Sequence, residues 1–530
     1  MQPTQRVADL IVIAPVVHTL DDASVNARAF AVRDGRFTYV GDVDGAMAWR
    51  GPRTEVLGVR DGAVLPGIVD AHLHLTNLGL SLQQVALDDA RGFNEAIDRT
   101  RSFAQTSGEQ WILGRGWDQN SWQDAAFPAH DALSAAIPDR PVVLTRVDGH
   151  AAIANARAME LAGITRATPD PPGGRIVRDR DGAPTGLFID AALSLIYGCV
   201  PKPDRARLMR AIRAGIAECN RWGVTAVAEP GCDEAVLAAH EALLGTGEYP
   251  MRTHAMIEAD PALIEYRTSG GIVDGAYDGR FSVRAIKMYA DGALGSRGAA
   301  LLAPYADDPS NDGLVLAPQA QIEAVAARAL ATGFQLCVHA IGDRANRSVL
   351  DAFEAALPRG GDGDPRFRVE HAQIVAPGDI PRFARLGAIA SVQATHASSD
   401  MRWAGERLGP ERLAGAYAWR AMLDAGAVVA NGTDAPVEPV NTVRTFLASI
   451  SAHGAIDHRM TRREALASMT IAAAYANFQE RRIGSIAEGK YADFVVLNRD
   501  WMAAAPDEIA ATRVVATYFA GRCVYERATS

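Results

Sequence analysis

The chain has 530 residues, 48% of them hydrophobic and 22% charged, with a net charge of −10. That length exceeds what one hydrophobic core organises, which predicts a large domain with smaller additions. The acidic balance, with no run of Lys or Arg, argues against nucleic acid or an anionic membrane surface as main partner, and no stretch approaches the ~20 apolar residues of a bilayer span.

Residues 1–6 lack a basic leader with a cleavage site, so secretion is not expected. The next segment, to residue 62, carries short β-type runs at 9–13, 29–32 and 37–40, separated by turns such as Asp34-Gly35-Arg36. The C-terminal 480–530 has the same character, with runs at 492–497, 514–519 and 523–525. Together the two ends predict one small β-sandwich domain.

The apolar run 63–69 then leads directly into Asp70-Ala71-His72-Leu73-His74. A strand repeats every two residues, so Asp70, His72 and His74 share a face. Two imidazoles side by side on a rigid strand form a metal-binding arrangement that needs only a few more ligands. The alternative, two core histidines, would require a separate buried hydrogen-bond partner for each. The five cysteines (Cys199, Cys219, Cys232, Cys337, Cys523) form no C-x-x-C pair and read as buried thiols of a reducing cytoplasm. Any metal must therefore be held by nitrogen and oxygen.

From about 220 to 475, short buried strands at 224–227, 253–257, 284–289, 335–339, 367–371, 388–392 and 427–431 alternate with helical stretches such as Gln319–Thr332. With the strand before His72 they make eight, which predicts an α/β fold with a TIM-like (β/α)8 barrel over 63–479, a doubly wound open sheet being the alternative. Residues 78–215 interrupt this alternation after the first strand and are rich in aromatics and turns. An insertion at that point predicts a lid segment that shapes a substrate pocket.

Chemistry-bearing residues recur where barrel strands end. His339 and His371 close two of them, and Asp434 follows the eighth. Lys287 sits within the fourth strand, where burial is costly unless the amine is paired or neutralised. Either Asp291 or Glu229 is its salt-bridge partner, or CO2 converts the amine to a carbamate whose oxygens bridge two metal ions.

Residues 64–74, Lys287, the two later histidines and Asp434 resemble the amidohydrolase superfamily. Further segments resemble its branch of N-substituted formamide deformylases and YtcJ-like hydrolases: the tryptophan-rich stretch around Trp117, Asp148-Gly149-His150 with Asn155, residues 170–175, 287–297, 342–345, 432–437 and 484–493. The resemblance implies that His72, His74 and Asp434 hold one divalent metal, and that His339 and His371 hold a second. Carboxylated Lys287 and a hydroxide would bridge them. Zinc is the expected ion, with manganese, iron or cobalt as alternatives. Asp434 would take a proton from the nucleophile and deliver it to a leaving amine, and Asp70 would orient a ligand histidine. Trp117, Asp118, His150 and Arg297 become substrate-pocket candidates, although Trp117 and Trp122 equally suit a lid core.

One departure is Ala228-Glu229-Pro230-Gly231, where relatives often place His or Asp; Glu229 is then a Lys287 partner or a pocket wall. The expected activity is metal-dependent hydrolysis of a non-peptide C–N bond, of amide, N-acyl or N-formyl type, in a small molecule by a cytoplasmic homodimer. Ester, lactone or carbamate hydrolysis is the rival chemistry, and a metal-free binding protein the rival class.

Overall fold

The computed structural model describes residues 7–123, 126–146, 149, 151–357, 364–453 and 457–528. Met1–Leu78 with Ile212–Ser530 form one compact unit and Gly79–Ala211 a second.

The first unit is built on a parallel barrel. Its strands are β1 (Ile68–Asp70), β2 (Val224–Cys232), β3 (Arg252–Glu258), β4 (Phe281–Tyr289), β5 (Gln335–Ala340), β6 (Arg368–His371), β7 (Ile389–Val392) and β8 (Val429–Asn431). Each pairs with the next in chain order. The ring closes where the Ala71 amide donates to the Asn431 carbonyl at 3.2 Å. Strands covered on both faces carry near-continuous apolar runs rather than alternation, and β2 and β3 are buried along almost their whole length.

Two four-stranded sheets face each other as a sandwich. One contains Leu10–Ile13, Ala29–Arg33, Arg36–Gly41 and Glu55–Gly58; the other contains Ala63–Pro66, Phe494–Leu497, Val514–Phe519 and Arg522–Glu526. Phe30, Phe37, Val64, Phe494 and Tyr518 share one core, and Phe30 meets Phe37 and Phe494 edge-on at 5.1 Å.

The apolar run at 63–69 is two strands, not one. Ala63–Pro66 pairs antiparallel with Phe494–Leu497, whereas Ile68–Asp70 pairs with β2. The sandwich therefore extends to Pro66, and the chain crosses into the barrel at Gly67. A Cβ at Gly67 would lie 2.2 Å from Thr225 Oγ1, so the crossing admits no side chain. A second tie is ionic. Arg252 of β3 donates from Nε to Asp493 Oδ2 at 2.7 Å and from Nη2 to Asp493 Oδ1 at 3.1 Å, and its guanidinium lies 3.8 Å from the Tyr491 ring centroid.

The second unit is an α/β body in its own right, and not only the aromatic, turn-rich lid segment that the sequence predicts. Its six-stranded mixed sheet runs Gly174–Arg178, Pro184–Asp190, Ala151–Ala154, Val142–Arg146, Ile112–Trp117, Val85–Ala86. Trp117, Trp122, Leu144 and Ile153 fill one core, and Trp111, Ala152 and Phe188 another. Two of the five cysteines, Cys199 and Cys523, are exposed rather than buried; no disulfide joins any of the five. Among the described residues no helix is long and apolar enough to cross a membrane.

Candidate metal centre

The C-terminal ends of the barrel strands bring the distant ligand candidates together. His72 and His74 follow β1, Lys287 lies in β4, His339 and His371 end β5 and β6, and Asp434 follows β8. The His72 and His371 ring centroids are 4.9 Å apart, and those of His339 and His371 4.5 Å. Asp434 Oδ1 is 3.4 Å from His74 Nε2 and 3.7 Å from His72 Nε2.

Backbone geometry holds the first and last loops in register. The Asp434 amide donates to the His72 carbonyl at 2.8 Å. Buried Asp70 accepts from Thr433 Oγ1 at 2.7 Å, Thr433 N at 3.0 Å and His72 N at 3.1 Å. Asp70 thus fixes both loops through their backbones rather than holding an imidazole ring. The loops pass so closely that a Cβ on Gly432 would meet His72 N at 2.5 Å. His371 (φ 73°) and Asp434 (φ 57°) are both left-handed, a conformation that non-glycine residues keep only where the surroundings over-determine it.

Partners missed in the sequence set the tautomers. His72 Nδ1 is 2.5 Å from Glu370 Oε2, and His371 Nδ1 is 2.7 Å from Gln393 Oε1. Arg368 Nε in turn meets Glu370 Oε1 at 2.7 Å. With Nδ1–H donated outward, each ring leaves its Nε2 lone pair free, the arrangement that metal-binding histidines use. Glu370 and Gln393 stand beside strand-end residues already singled out, yet nothing in the sequence says which way they point.

Burial, reinforced by Lys287, lowers the His72 imidazole to about 4, and burial with neighbouring positive charge lowers His371 to about 3. Burial also drives His339 well below its ordinary value. These rings are neutral at pH 7. Burial pulls the Asp434 carboxyl upward, but His74, His72 and His371 outweigh it and hold it below the usual carboxylate range. Four buried atoms, His72 Nε2, His339 Nε2, His396 Nε2 and Asp434 Oδ1, have no hydrogen-bond partner among the described residues. Such atoms are costly unless something binds them, and a nitrogen–oxygen donor set of this kind suits zinc or another divalent cation. Replacing Glu370 by Gln is expected to weaken metal affinity by roughly 10–100-fold, measured by competition with a chromophoric chelator.

Lys287 is buried and pairs with neither Asp291 nor Glu229. Its Nζ lies 4.6 Å from the Tyr289 ring centroid, and burial lowers its pKa despite Glu370 and Asp434 nearby. Asp291 instead accepts from the backbone amides of Ala300, Ile341 and Gly342 at 2.8–2.9 Å. Glu229 accepts from Thr76 N at 2.7 Å and lies 2.9 Å from His240 Nε2, so it anchors the start of the helix Leu75–Ser81.

The remaining substrate candidates have other partners within their own units. Arg297 pairs with Asp307 at 2.9 Å. In the second unit, Trp117 is a core side chain whose Nε1 donates to the Leu144 carbonyl at 2.7 Å, and Asp118 pairs with Arg146 at 2.8 Å. His150 lies outside the described residues. A cavity of about 350 Å3 opens onto His74, His339, His371, His396 and Asp434, walled by Tyr289, Leu294, Trp403 and Val437, with Lys287, Gln373, Asp400 and Glu438 as further polar groups.

A family model described as the amidohydrolase family matches residues 56–525. The chain belongs to the amidohydrolase family. This amidohydrolase is 32% identical to YtcJ of Bacillus subtilis (strain 168), over 96% of this chain and 98% of that protein. It is 29% identical to the N-substituted formamide deformylase of Arthrobacter pascens, over 99% of this chain and all of that enzyme. A metal-dependent hydrolase from Pyrococcus horikoshii OT3 superposes with a TM-score of 0.79 at 26% identity, covering 94% of this chain and 99% of that one. Family and neighbours together support a hydrolase that uses a divalent metal.

Proposed function

We propose that this amidohydrolase cleaves a non-peptide C–N bond, of amide, N-acyl or N-formyl type, in a small molecule. The observation that carries this reading is the convergence of neutral imidazoles and an ionised carboxylate, with unsatisfied donor atoms, beside a mostly apolar cavity. Similarity to an N-substituted formamide deformylase supports the C–N preference.

His72, His74 and Asp434 would hold one divalent cation, zinc being the expected ion, with His339, His371 and a carboxylated Lys287 as the set for a second. Bound there, a divalent cation would supply a water acidified toward pH 7 and polarisation of the substrate carbonyl. Asp434 accepts the proton released when water oxygen bonds to the carbonyl carbon. It returns that proton to the nitrogen as the C–N bond breaks, so an acid and an amine leave. The lowered pKa of Lys287 favours the neutral amine that attacks CO2 to give the carbamate and one proton. Tyr289, Leu294, Trp403 and Val437 would place apolar surface beside the reacting bond.

The test is hydrolysis of a panel of N-formyl and N-acyl amines, esters, lactones and carbamates by protein loaded with zinc, manganese, cobalt or iron. Turnover of amides that is lost on chelation and regained with metal is expected. Activity confined to esters would refute the C–N assignment.

A further inference from the structure

His396 is assigned to neither of the two ligand sets given above. It lies in the first turn of the helix Ala394–Leu408, which starts directly after β7. Gln393, at the N-cap position of that helix, accepts with Oε1 from His371 Nδ1. Gln393 and His396 are three residues apart and so lie on the same side of the turn. One helical turn therefore orients one imidazole and presents a second.

The His396 ring stacks on that of His371, with centroids 6.2 Å apart and planes 15° from parallel. Its Nε2 is buried, has no hydrogen-bond partner among the described residues, and lies 3.6 Å from Asp434 Oδ2. That separation is too long for a hydrogen bond. It does fit two donors on one ion, because ligands about 2.0–2.1 Å from a tetrahedral zinc are about 3.4 Å apart. Among the described residues, two groups bring three such donor atoms within 4.8 Å of one another: His72, His74 and Asp434, and His371, His396 and Asp434. His339 joins neither group.

We infer that His396 is a direct metal ligand: the second cation is then held by His371, His396 and Asp434, and His339 and Lys287 are not the core of that set as given above. Asp434 then links the two sites, one oxygen facing each histidine pair. This inference rests on the metal-dependent reading above and is separable from it.

The test is zinc and cobalt titration of chelator-stripped full-length protein, followed by elemental analysis and the cobalt visible spectrum. Wild type, His396→Ala and His396→Asp are compared, with circular dichroism as the folding control. The wild type is expected to bind two equivalents. His396→Ala should keep one and weaken the other by more than the roughly 10–100-fold typical of losing an outer hydrogen bond. His396→Asp, which restores a ligand atom, should recover much of that affinity and decides the matter if the alanine variant does not fold. Unchanged stoichiometry, affinity and cobalt spectrum in His396→Ala would overturn the inference, even with a raised KM, and would make His396 a substrate-facing residue. A wild type that binds no metal overturns this inference and the metal-dependent reading together.

Discussion

Asp434→Asn is expected to lower kcat/KM on the amide that the substrate panel identifies by about 100- to 10,000-fold. The substitution keeps the shape of the side chain but removes its charge and its capacity to carry the proton. Asp434 faces both histidine pairs, with Oδ1 3.4 Å from His74 and Oδ2 3.6 Å from His396. The loss should fall on kcat rather than KM, because the proton moves only as bonds to the carbonyl carbon form and break. Its backbone contact to His72 is unaffected, so circular dichroism should match the wild type. Retention of more than a tenth of the activity would remove Asp434 from the proton-transfer role.

Arg252→Ala is expected to cost about 3–5 kcal/mol of stability, because it leaves the Asp493 carboxylate buried without its partner. Both side chains are only 2% exposed, and they join barrel strand β3 to the sandwich sheet. The guanidinium also stacks on Tyr491 and Phe519, so packing is lost with the charge. Calorimetry should show the transition several degrees lower, while the metal content of the folded protein stays as in the wild type. The double variant Arg252→Met with Asp493→Leu should regain most of the loss, since apolar replacement of a whole buried pair is often neutral. A single variant within 1 kcal/mol of wild type would mean that water reaches Asp493.

The barrel was legible because parallel strands covered on both faces must be apolar, so a polar residue at such a strand's end stands out. His72, His74, His339, His371 and Asp434 are all of that kind. His396 was not, because it lies in the first turn of the next helix, where a lone histidine carries no period-two signal. Glu370 and Gln393 were visible as letters but not as partners, since their targets His72 and His371 lie across strand boundaries. The division of 63–69 between two sheets was hidden for a different reason. Both halves are buried, so hydrophobicity is continuous through Gly67 and only the pairing changes. The second unit escaped because its sheet is mixed, so its strands do not alternate regularly with helices, and the length of the insertion was the one indication that it holds a core of its own.

The amide of Asp434 bonded to the carbonyl of His72 joins residues made early and late in synthesis. A chain arrested before β8 carries the first two imidazoles but no assembled centre. Completion of the donor set therefore marks the moment the barrel closes. The same long-range pairing delays it, since loops spanning most of the chain must be ordered before any cation can contribute to stability. A cation held by this donor set would therefore bind only after the barrel has closed.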